Sequence, residues 1–435
     1  MSTIAKVTTY DLRFPTSQTL SGSDAMNPDP DYSSAYVVLE TSDGDCGYGF
    51  VFTIGRGNDV VVTAIDTIAR KFIGKRVETY LDQMRLAWDE CIHDSQLRWL
   101  GPEKGVVHMA CGALLSALWD LKARRSRMPL WKLLSSMEPE ELVSTLDFRY
   151  LTDALTPEEA VDILADKKAS ADARAHDLIQ RGYPGYSTAA GWLGYSDEKM
   201  LSLIRSETRE KGFQQIKLKV GQNLQDDIRR LSLARQEAGP DIRIAVDANQ
   251  VWDVPQAIAW IKHLEKYDLA WVEEPTSPDD VLGHAAIQKA IHPLAVATGE
   301  QMQSRILYKQ YLQAGAFQVM QIDATRVAGP QEIILEYLLA HKYGVRVCPH
   351  AGGVGLCEAV VQYAMLDYVS ISGQMEDRMV EYVDNQHEYF LEPSRICHGR
   401  YQTPLNPGSG IQMNLALCEQ YMYAQPRIRT SADDE

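Results

Sequence analysis

Seven ionisable side chains recur at a nearly constant spacing in the second half of this 435-residue chain. They are Lys219, Asp247, Glu273, Glu300, Asp323, His350 and Glu381. Each one ends a short apolar run of the kind that forms a buried strand. The intervals of roughly 23 to 31 residues match one βα unit, and strand ends of a parallel barrel meet at one face. The spacing therefore predicts that the seven groups share one site.

Three of these groups are carboxylates at the ends of consecutive predicted strands. Asp247, Glu273 and Glu300 would repel one another and raise one another's pKa values unless a cation lay between them. Magnesium is usually held by a few carboxylates, with its other positions left to water and substrate oxygens. Helix capping explains any single acidic strand end, but capping requires no period from strand to strand. The three carboxylates therefore predict one Mg²⁺ per active site.

Two lysines lie two residues apart on the first of these strands, so both point to the same face. Inside a barrel, Lys217 and Lys219 would disfavour each other's charge, which lowers the pKa of one of them towards neutrality. We expect Lys219, nearer the strand end, to be the catalytic base and Lys217 to hold the substrate carboxylate. An exposed edge strand can carry the same pattern without any catalytic meaning.

A histidine with a nearby carboxylate could supply the acid for the same reaction. His350 enters a glycine-rich turn, and Asp323 ends the preceding predicted strand. Asp323 would fix the imidazole tautomer and raise its pKa, so that His350 can protonate a departing hydroxyl. A lone histidine more often has only structural contacts, and Asp323 shifts that balance. Glu381 could form hydrogen bonds to substrate oxygens.

The elements that must position these groups are short apolar runs, each followed by an amphipathic helical stretch. Together they predict an α/β fold, a (β/α) barrel, behind an N-terminal α+β capping domain. The predicted barrel strands are 144–151, 214–220, 242–249, 269–275, 294–300, 317–323, 345–350 and 378–383. Thr156 to Glu159 form a predicted capping box that starts the helix after the first strand. The predicted domains are 1–140 for the cap and 141–385 for the barrel.

The composition limits the possible partners and location. The chain has 43 Lys and Arg against 59 Asp and Glu, a formal net charge of −16, which repels nucleic acid and anionic membranes. We expect no membrane span, because no stretch reaches the roughly 18 consecutive apolar residues that a span requires, and no signal peptide, because the first residues have no apolar core. The seven cysteines are scattered and form no C-x-x-C pair, which indicates a reducing compartment. We therefore expect a cytoplasmic location.

Short segments spread over nearly the whole chain resemble the enolase superfamily, and the K-x-K strand with the His–Asp pair resembles its mandelate racemase group. The segments are GALLSALWDLK, IKLKVG, VDANQ, WVEEPT, TGEQ, DATRVAGP and CPHAGG. The resemblance implies a modified (β/α) barrel with the magnesium ligands, base and acid named above. It also implies that residues 386–435 return to the capping domain.

The same resemblance implies a substrate and further contacts to it. These contacts would come from Gly22, Ser23, Asp24 and Tyr32 in a capping loop and from Asn249. The implied reaction removes water from a six-carbon acid sugar such as L-fuconate, giving 2-keto-3-deoxy-L-fuconate, in an enzyme that forms a homo-oligomer. A racemase or epimerase, or a dehydratase of another sugar acid, stays open because two opposed acid/base groups can exchange the same proton. A non-catalytic binding scaffold also stays open, because a fold alone does not fix function.

Overall fold

The computed structural model describes residues 2–431. Residue 1 of the predicted capping domain and residues 432–435 of the predicted C-terminal segment lie outside the described residues. The strands are β1 (Ile4–Arg13), β2 (Ser33–Thr41), β3 (Cys46–Thr53), β4 (Tyr183–Ser187), β5 (Gln215–Lys219), β6 (Arg243–Asp247), β7 (Leu269–Glu273), β8 (Val296–Thr298), β9 (Val319–Met320), β10 (Arg346–Val347), β11 (Val380–Tyr382), β12 (Ile396–Cys397), β13 (Arg400–Tyr401) and β14 (Arg427–Thr430).

The α-helices precede, connect and follow these strands. They are α1 (Asn58–Ala69), α2 (Val77–Asp82), α3 (Met84–Ile92), α4 (Ser95–Leu100), α5 (Gly105–Arg125), α6 (Leu130–Ser136), α7 (Pro139–Ser144), α8 (Pro157–Lys168), α9 (Ala171–Arg181), α10 (Asp197–Arg205), α11 (Leu224–Ala238), α12 (Val254–Leu264), α13 (Val281–Ile291), α14 (Arg305–Ala314), α15 (Pro330–Lys342), α16 (Leu356–Leu366) and α17 (Leu415–Cys418).

Eight parallel strands form the predicted barrel. Their order in the sheet is β10-β9-β8-β7-β6-β5-β4-β11. A backbone hydrogen bond of 3.3 Å from the Glu381 amide to the Pro349 carbonyl links the two ends of this order. In the ladder Lys219 stands opposite Asp247, and Asp247 opposite Glu273, so these side chains are neighbours across three strands. The predicted fold class is confirmed.

The first barrel strand is not the one expected from the sequence. Residues 144–151 lie at the end of α7 and in the following turns, and β4 at Tyr183–Ser187 takes the first position instead. The β4 sequence YPGYS contains proline and glycine, which are typical of turns rather than strands. The capping box does form, because the Thr156 hydroxyl accepts from the Glu159 amide and the Glu159 carboxylate accepts from the Thr156 amide. However, the helix that it starts, α8, precedes the first barrel strand β4, so its predicted place after the first strand is wrong.

The N-terminal unit is a four-stranded antiparallel sheet covered by helices. Its strand order is β14-β1-β2-β3, so a strand near the C-terminus completes the sheet that the N-terminus begins. Helix α5 packs against β3, where a Cβ on Gly49 would collide with the carbonyl oxygen of Ala113. On another side of the helix, a Cβ on Gly112 would collide with the carbonyl oxygen of Val327 in the barrel. Helix α5 thus touches both units closely.

Helix α5 also differs from expectation in its hydropathy. It is the one helix within residues 2–431 that is long and apolar enough to cross a membrane, whereas no such stretch was expected. However, 78% of its apolar window is buried inside the protein. The core helix of a soluble protein satisfies the same criterion, so this feature is weak evidence for a membrane span.

Candidate active site

Three carboxylates converge at the C-terminal ends of β6 and β7 and just after β8. One oxygen each from Asp247, Glu273 and Glu300 lies within 4.8 Å of the others, and all three residues are buried. Burial raises the pKa of Glu273 to about 8 and also raises that of Glu300, whose Oε2 has no hydrogen-bond partner. Such a cluster of oxygen ligands, with one orphaned buried oxygen, fits a hard divalent cation.

The two lysines are held by these carboxylates. The Lys219 Nζ lies 2.5 Å from Asp247 Oδ2, while Lys217 contacts Glu273 and lies 2.9 Å from Glu381 Oε1. Burial opposes the charge of Lys219, but the Asp247, Glu300 and Asp24 carboxylates together outweigh it and raise the Lys219 pKa. The predicted lowering of this pKa is therefore wrong in the structure as it stands, because attraction to Asp247 exceeds repulsion from Lys217.

His350 forms the expected pair with Asp323. Its Nδ1 lies 2.8 Å from Asp323 Oδ2, and its Nε2 faces Glu300 Oε2 at 3.5 Å. Although burial favours the neutral imidazole, Glu300 and Asp323 raise the His350 pKa to about 9. Asp323 is itself fixed by hydrogen bonds from the Thr325 amide and hydroxyl, at 2.7 and 3.0 Å. His350 is therefore protonated near neutral pH and can donate a proton from Nε2.

Glu381 is ionised despite its complete burial. Lys217 and His350 lower its pKa below the usual range, Thr188 donates a hydrogen bond to Oε1, and the Ala351 amide donates to Oε2 at 3.0 Å. Its carboxylate is therefore an acceptor at the wall of the site, where it faces the imidazole of His350 at 3.8 Å.

A cavity of about 450 Å³ connects these groups to the N-terminal unit. The predicted residues that line it are Lys219, Asn249, Glu300, His350 and Glu381 from the barrel and Gly22, Asp24 and Tyr32 from the loop between β1 and β2. The carbonyl oxygen of the Asn249 side chain is buried without a partner, so it is available as an acceptor. Lys217 lies deeper and does not line the cavity, and its predicted contact with the substrate carboxylate stays a prediction.

The capping-loop residues have different surroundings. Gly22 has φ +86° and lies against the Tyr32 ring, which a Cβ at this position would overlap. The Ser23 hydroxyl donates to the Leu20 carbonyl at 2.7 Å and accepts from the Gly194 amide at 2.9 Å, so it anchors the loop and does not line the cavity. The Asp24 Oδ1 accepts from the Met26 amide. Their predicted roles in substrate binding stay predictions.

Several residues that support the site were missed by the sequence analysis. Gln321 donates to Glu273 Oε2 at 2.8 Å, and Trp192 presents its ring to the Lys219 ammonium at 5.4 Å. Gln321 lies two residues before Asp323, so the strand period could have placed it on the same face. Thr188 and Trp192 follow β4, the strand that was not predicted, and no pattern pointed to them.

Two family models cover most of the chain. Residues 25–135 match the N-terminal domain of mandelate racemase and muconate lactonizing enzyme, and residues 199–417 match the family described as enolase C-terminal domain-like. The cavity described above lies between these two matched regions. The chain belongs to the enolase superfamily.

Known relatives agree with this membership. The L-galactonate dehydratase of Hypocrea jecorina is 46% identical over 97% of this chain and 94% of its own length. The crystal structure of human mitochondrial enolase superfamily member 1 is 45% identical, covers 97% of this chain and 96% of its own, and superposes with a TM-score of 0.95. A racemase from Streptomyces coelicolor with bound magnesium is 25% identical, covers 95% and 98%, and has a TM-score of 0.74.

Proposed function

We propose that this protein is a magnesium-dependent dehydratase of six-carbon acid sugars with the L-galacto configuration, namely L-fuconate or L-galactonate. The observation that carries the proposal is that Lys219 and His350 line one cavity beside three convergent carboxylates. L-Fuconate is the substrate expected from the sequence, and the 46% identity to an L-galactonate dehydratase adds the second. The two acids differ only at C6, where L-fuconate has a methyl group and L-galactonate a hydroxymethyl group.

Asp247, Glu273 and Glu300 would hold the metal, which supplies positive charge that stabilises the anion formed when the substrate loses its α-proton. Lys219 would act as the base in its neutral form, which requires that its 2.5 Å ion pair with Asp247 is given up in the reacting complex. The neutral Lys219 amine then accepts the proton from C2 of the substrate. Lys217 keeps Glu273 and Glu381 in place through its contacts with both carboxylates.

The departing hydroxyl requires a proton, and His350 is arranged to give it. Its Nε2 faces the cavity while Nδ1 is held by Asp323, so one proton can move from Nε2 to the 3-hydroxyl as the C3–O bond breaks. Loss of the C2 proton and the 3-hydroxyl removes one water molecule. The remaining enol tautomerises to a 2-keto-3-deoxy acid.

Incubation with Mg²⁺ and a panel of acid sugars tests this proposal. We expect L-fuconate, L-galactonate or both to give a 2-keto acid, detected as its semicarbazone, and His350→Asn to abolish product formation without unfolding the protein. Turnover of a sugar acid outside the L-galacto configuration alone would correct the substrate. Failure of the folded, magnesium-loaded protein to dehydrate any acid sugar would reject the dehydratase.

A racemase or epimerase is the second candidate. The observation that favours it is that the cavity has two separate groups able to exchange a proton, Lys219 and His350. Incubation in deuterium oxide distinguishes the two reactions. Deuterium at C2 of recovered substrate with inverted configuration and no 2-keto acid would favour the racemase. The expected homo-oligomer, the cytoplasmic location and the exclusion of nucleic-acid and membrane partners stay predictions.

A further inference from the structure

Arg326 is a further cationic group at the wall of the cavity, beside Lys219, His350 and Arg56, and the proposed reaction does not use it. Arg326 is half-buried and lines the cavity together with His350 and Met109. Within residues 2–431, the only hydrogen bond of its guanidinium goes to the Met109 sulfur, at 3.8 Å from Nη1. A thioether is a weak acceptor, and a guanidinium carries five N–H donors. Most of the hydrogen-bonding capacity of Arg326 is therefore unused within the protein.

The lack of an oxygen acceptor for the Arg326 guanidinium sets this residue apart from other buried arginines. Among the partly or fully buried arginines of residues 2–431, Arg326 alone has neither an oxygen acceptor nor a carboxylate within ion-pair distance. Arg230 is a typical contrast, because its guanidinium donates to three backbone carbonyls. A partly buried guanidinium that has no oxygen acceptor among its protein neighbours presents its donors to the cavity, where a ligand with oxygen acceptors can bind them.

The position of Arg326 indicates which part of a ligand it meets. Its backbone amide donates to Asp323 Oδ1 at 3.1 Å, so the residue is anchored beside the His350 pair. Its side chain extends to Met109 on α5, the helix of the N-terminal unit. Lys217 and Glu273 do not line the cavity, whereas Arg326 does. A sugar acid with its carboxylate near the three acidic ligands would therefore extend its other end towards Arg326.

We propose that Arg326 determines specificity by donating hydrogen bonds to oxygens at the substrate end remote from the reacting carboxylate. This inference rests on the proposed function for the identity of the ligand. The guanidinium has donors only, in a planar fork that suits a carboxylate or a pair of hydroxyls. Arg326 thus selects for oxygen at C6 and favours the acids in the order galactarate, L-galactonate, L-fuconate, whose C6 groups are a carboxylate, a hydroxymethyl and a methyl.

Binding measurements separate this inference from the reaction. In a Lys219→Ala background, which leaves the ligand intact, isothermal titration in Mg²⁺ gives the Kd of each of the three acids. Adding Arg326→Met should weaken galactarate binding the most, L-galactonate about tenfold and L-fuconate least, because the methyl group offers no acceptor. Arg326→Lys should restore part of the galactarate affinity, since it keeps the charge but loses the fork.

Arg346→Met is the matched control, because Arg346 is also half-buried but begins β10 at the other end of the barrel. It should leave all three Kd values unchanged. Equal weakening of the three acids by Arg326→Met, or no weakening, would overturn the specificity role even if the wild type is a dehydratase. Conversely, an ordered loss of binding in a protein with no turnover would support Arg326 and reject only the proposed reaction.

Discussion

Two buried clusters of charged side chains in this molecule have opposite character. Where the N-terminal unit meets the barrel, Arg305 lies 2.6 Å from Glu103 and 3.2 Å from Glu332, and His108 lies 2.7 Å from Glu332. Despite burial, His108 and Arg305 lower the Glu332 pKa to about 2. This cluster satisfies its own charges, so it stabilises the contact between the two units and needs no ligand.

The cluster at the barrel mouth does not satisfy its own charges. Burial raises the pKa of Glu273 to about 8, one buried oxygen of Glu300 has no hydrogen-bond partner among the described residues, and both residues remain close to Asp247. The two clusters show that residue types alone do not distinguish a structural charge cluster from a functional one. The surplus of carboxylates over cations at the mouth is compatible with a bound Mg²⁺ ion.

The largest predicted effect is a loss of catalytic activity, which we expect from changes at the barrel mouth. Lys219→Ala removes the proposed base at the mouth, and we expect kcat to fall about 10³- to 10⁴-fold, the usual range for a positioned acid or base. Circular dichroism should show an unchanged fold. Lys309→Ala, which breaks a surface ion pair with Asp153, is the control and should retain full activity. Activity of the Lys219 variant within tenfold of wild type would rule out the assignment of the base.

The second largest effect should fall on stability. Arg305→Met leaves buried carboxylates without their cation, and we expect the free energy of unfolding to decrease by about 3 to 5 kcal/mol. Arg205→Met, which breaks an exposed ion pair of 2.9 Å with Glu237, should cost less than about 1 kcal/mol. Urea denaturation measures both. If the two variants lose the same stability, the Arg305 cluster does not stabilise the contact between the N-terminal unit and the barrel.

Magnesium should stabilise the protein through the cluster at the barrel mouth and not through the Arg305 cluster. At a Mg²⁺ concentration about 100 times its Kd, we expect the free energy of unfolding to rise by about 2.7 kcal/mol, because the ion binds only the folded protein. Glu300→Gln should lose most of this gain, whereas His108→Gln in the other cluster should keep it. Calorimetric scans with and without chelator test this, and an equal gain in both variants would contradict a metal site at the mouth.

The smallest effect concerns a third pair, His387 with Glu358, whose nitrogen and oxygen lie 2.7 Å apart. Although burial favours neutral histidine, Glu358 raises the His387 pKa to about 9 from the ordinary 6.5. The protonated form therefore stabilises the fold fully below pH 6.5, and this contribution disappears as the pH rises through 9. We expect His387→Gln to cost about 2 kcal/mol at pH 6 and little at pH 10. A cost independent of pH, in denaturation curves, would show that His387 contributes only packing.

The sequence predicted those parts of the site that obey a period. Asp247, Glu273 and His350 could be found because each follows an apolar strand at the spacing of one βα unit. The first strand could not, because Pro184 and Gly185 within β4 read as a turn while residues 144–151 read as a strand. Asp147 in that segment instead accepts a hydrogen bond from Trp88 and contacts Arg305.

Electrostatic balance was the part that the sequence could not resolve. Two lysines on the same face of one strand predicted a lowered Lys219 pKa, but the outcome depends on the 2.5 Å contact with Asp247, which only the folded chain defines. The role of Arg326 likewise could not be predicted from the sequence. Its residue type is common, and its significance lies in the oxygen acceptors that its neighbours do not provide.

The two-sided packing of helix α5 also constrains how substrate can enter. Gly49 brings the helix against the N-terminal sheet, and Gly112 brings it against the segment after β9 that carries Arg326. A hinge rotation of the whole N-terminal unit would break the close contact of the helix either with the N-terminal sheet or with the barrel. Gly22, Asp24 and Tyr32 of the loop between β1 and β2 line the cavity, so we expect any change in access to the cavity to require movement of this loop and not of the whole N-terminal unit.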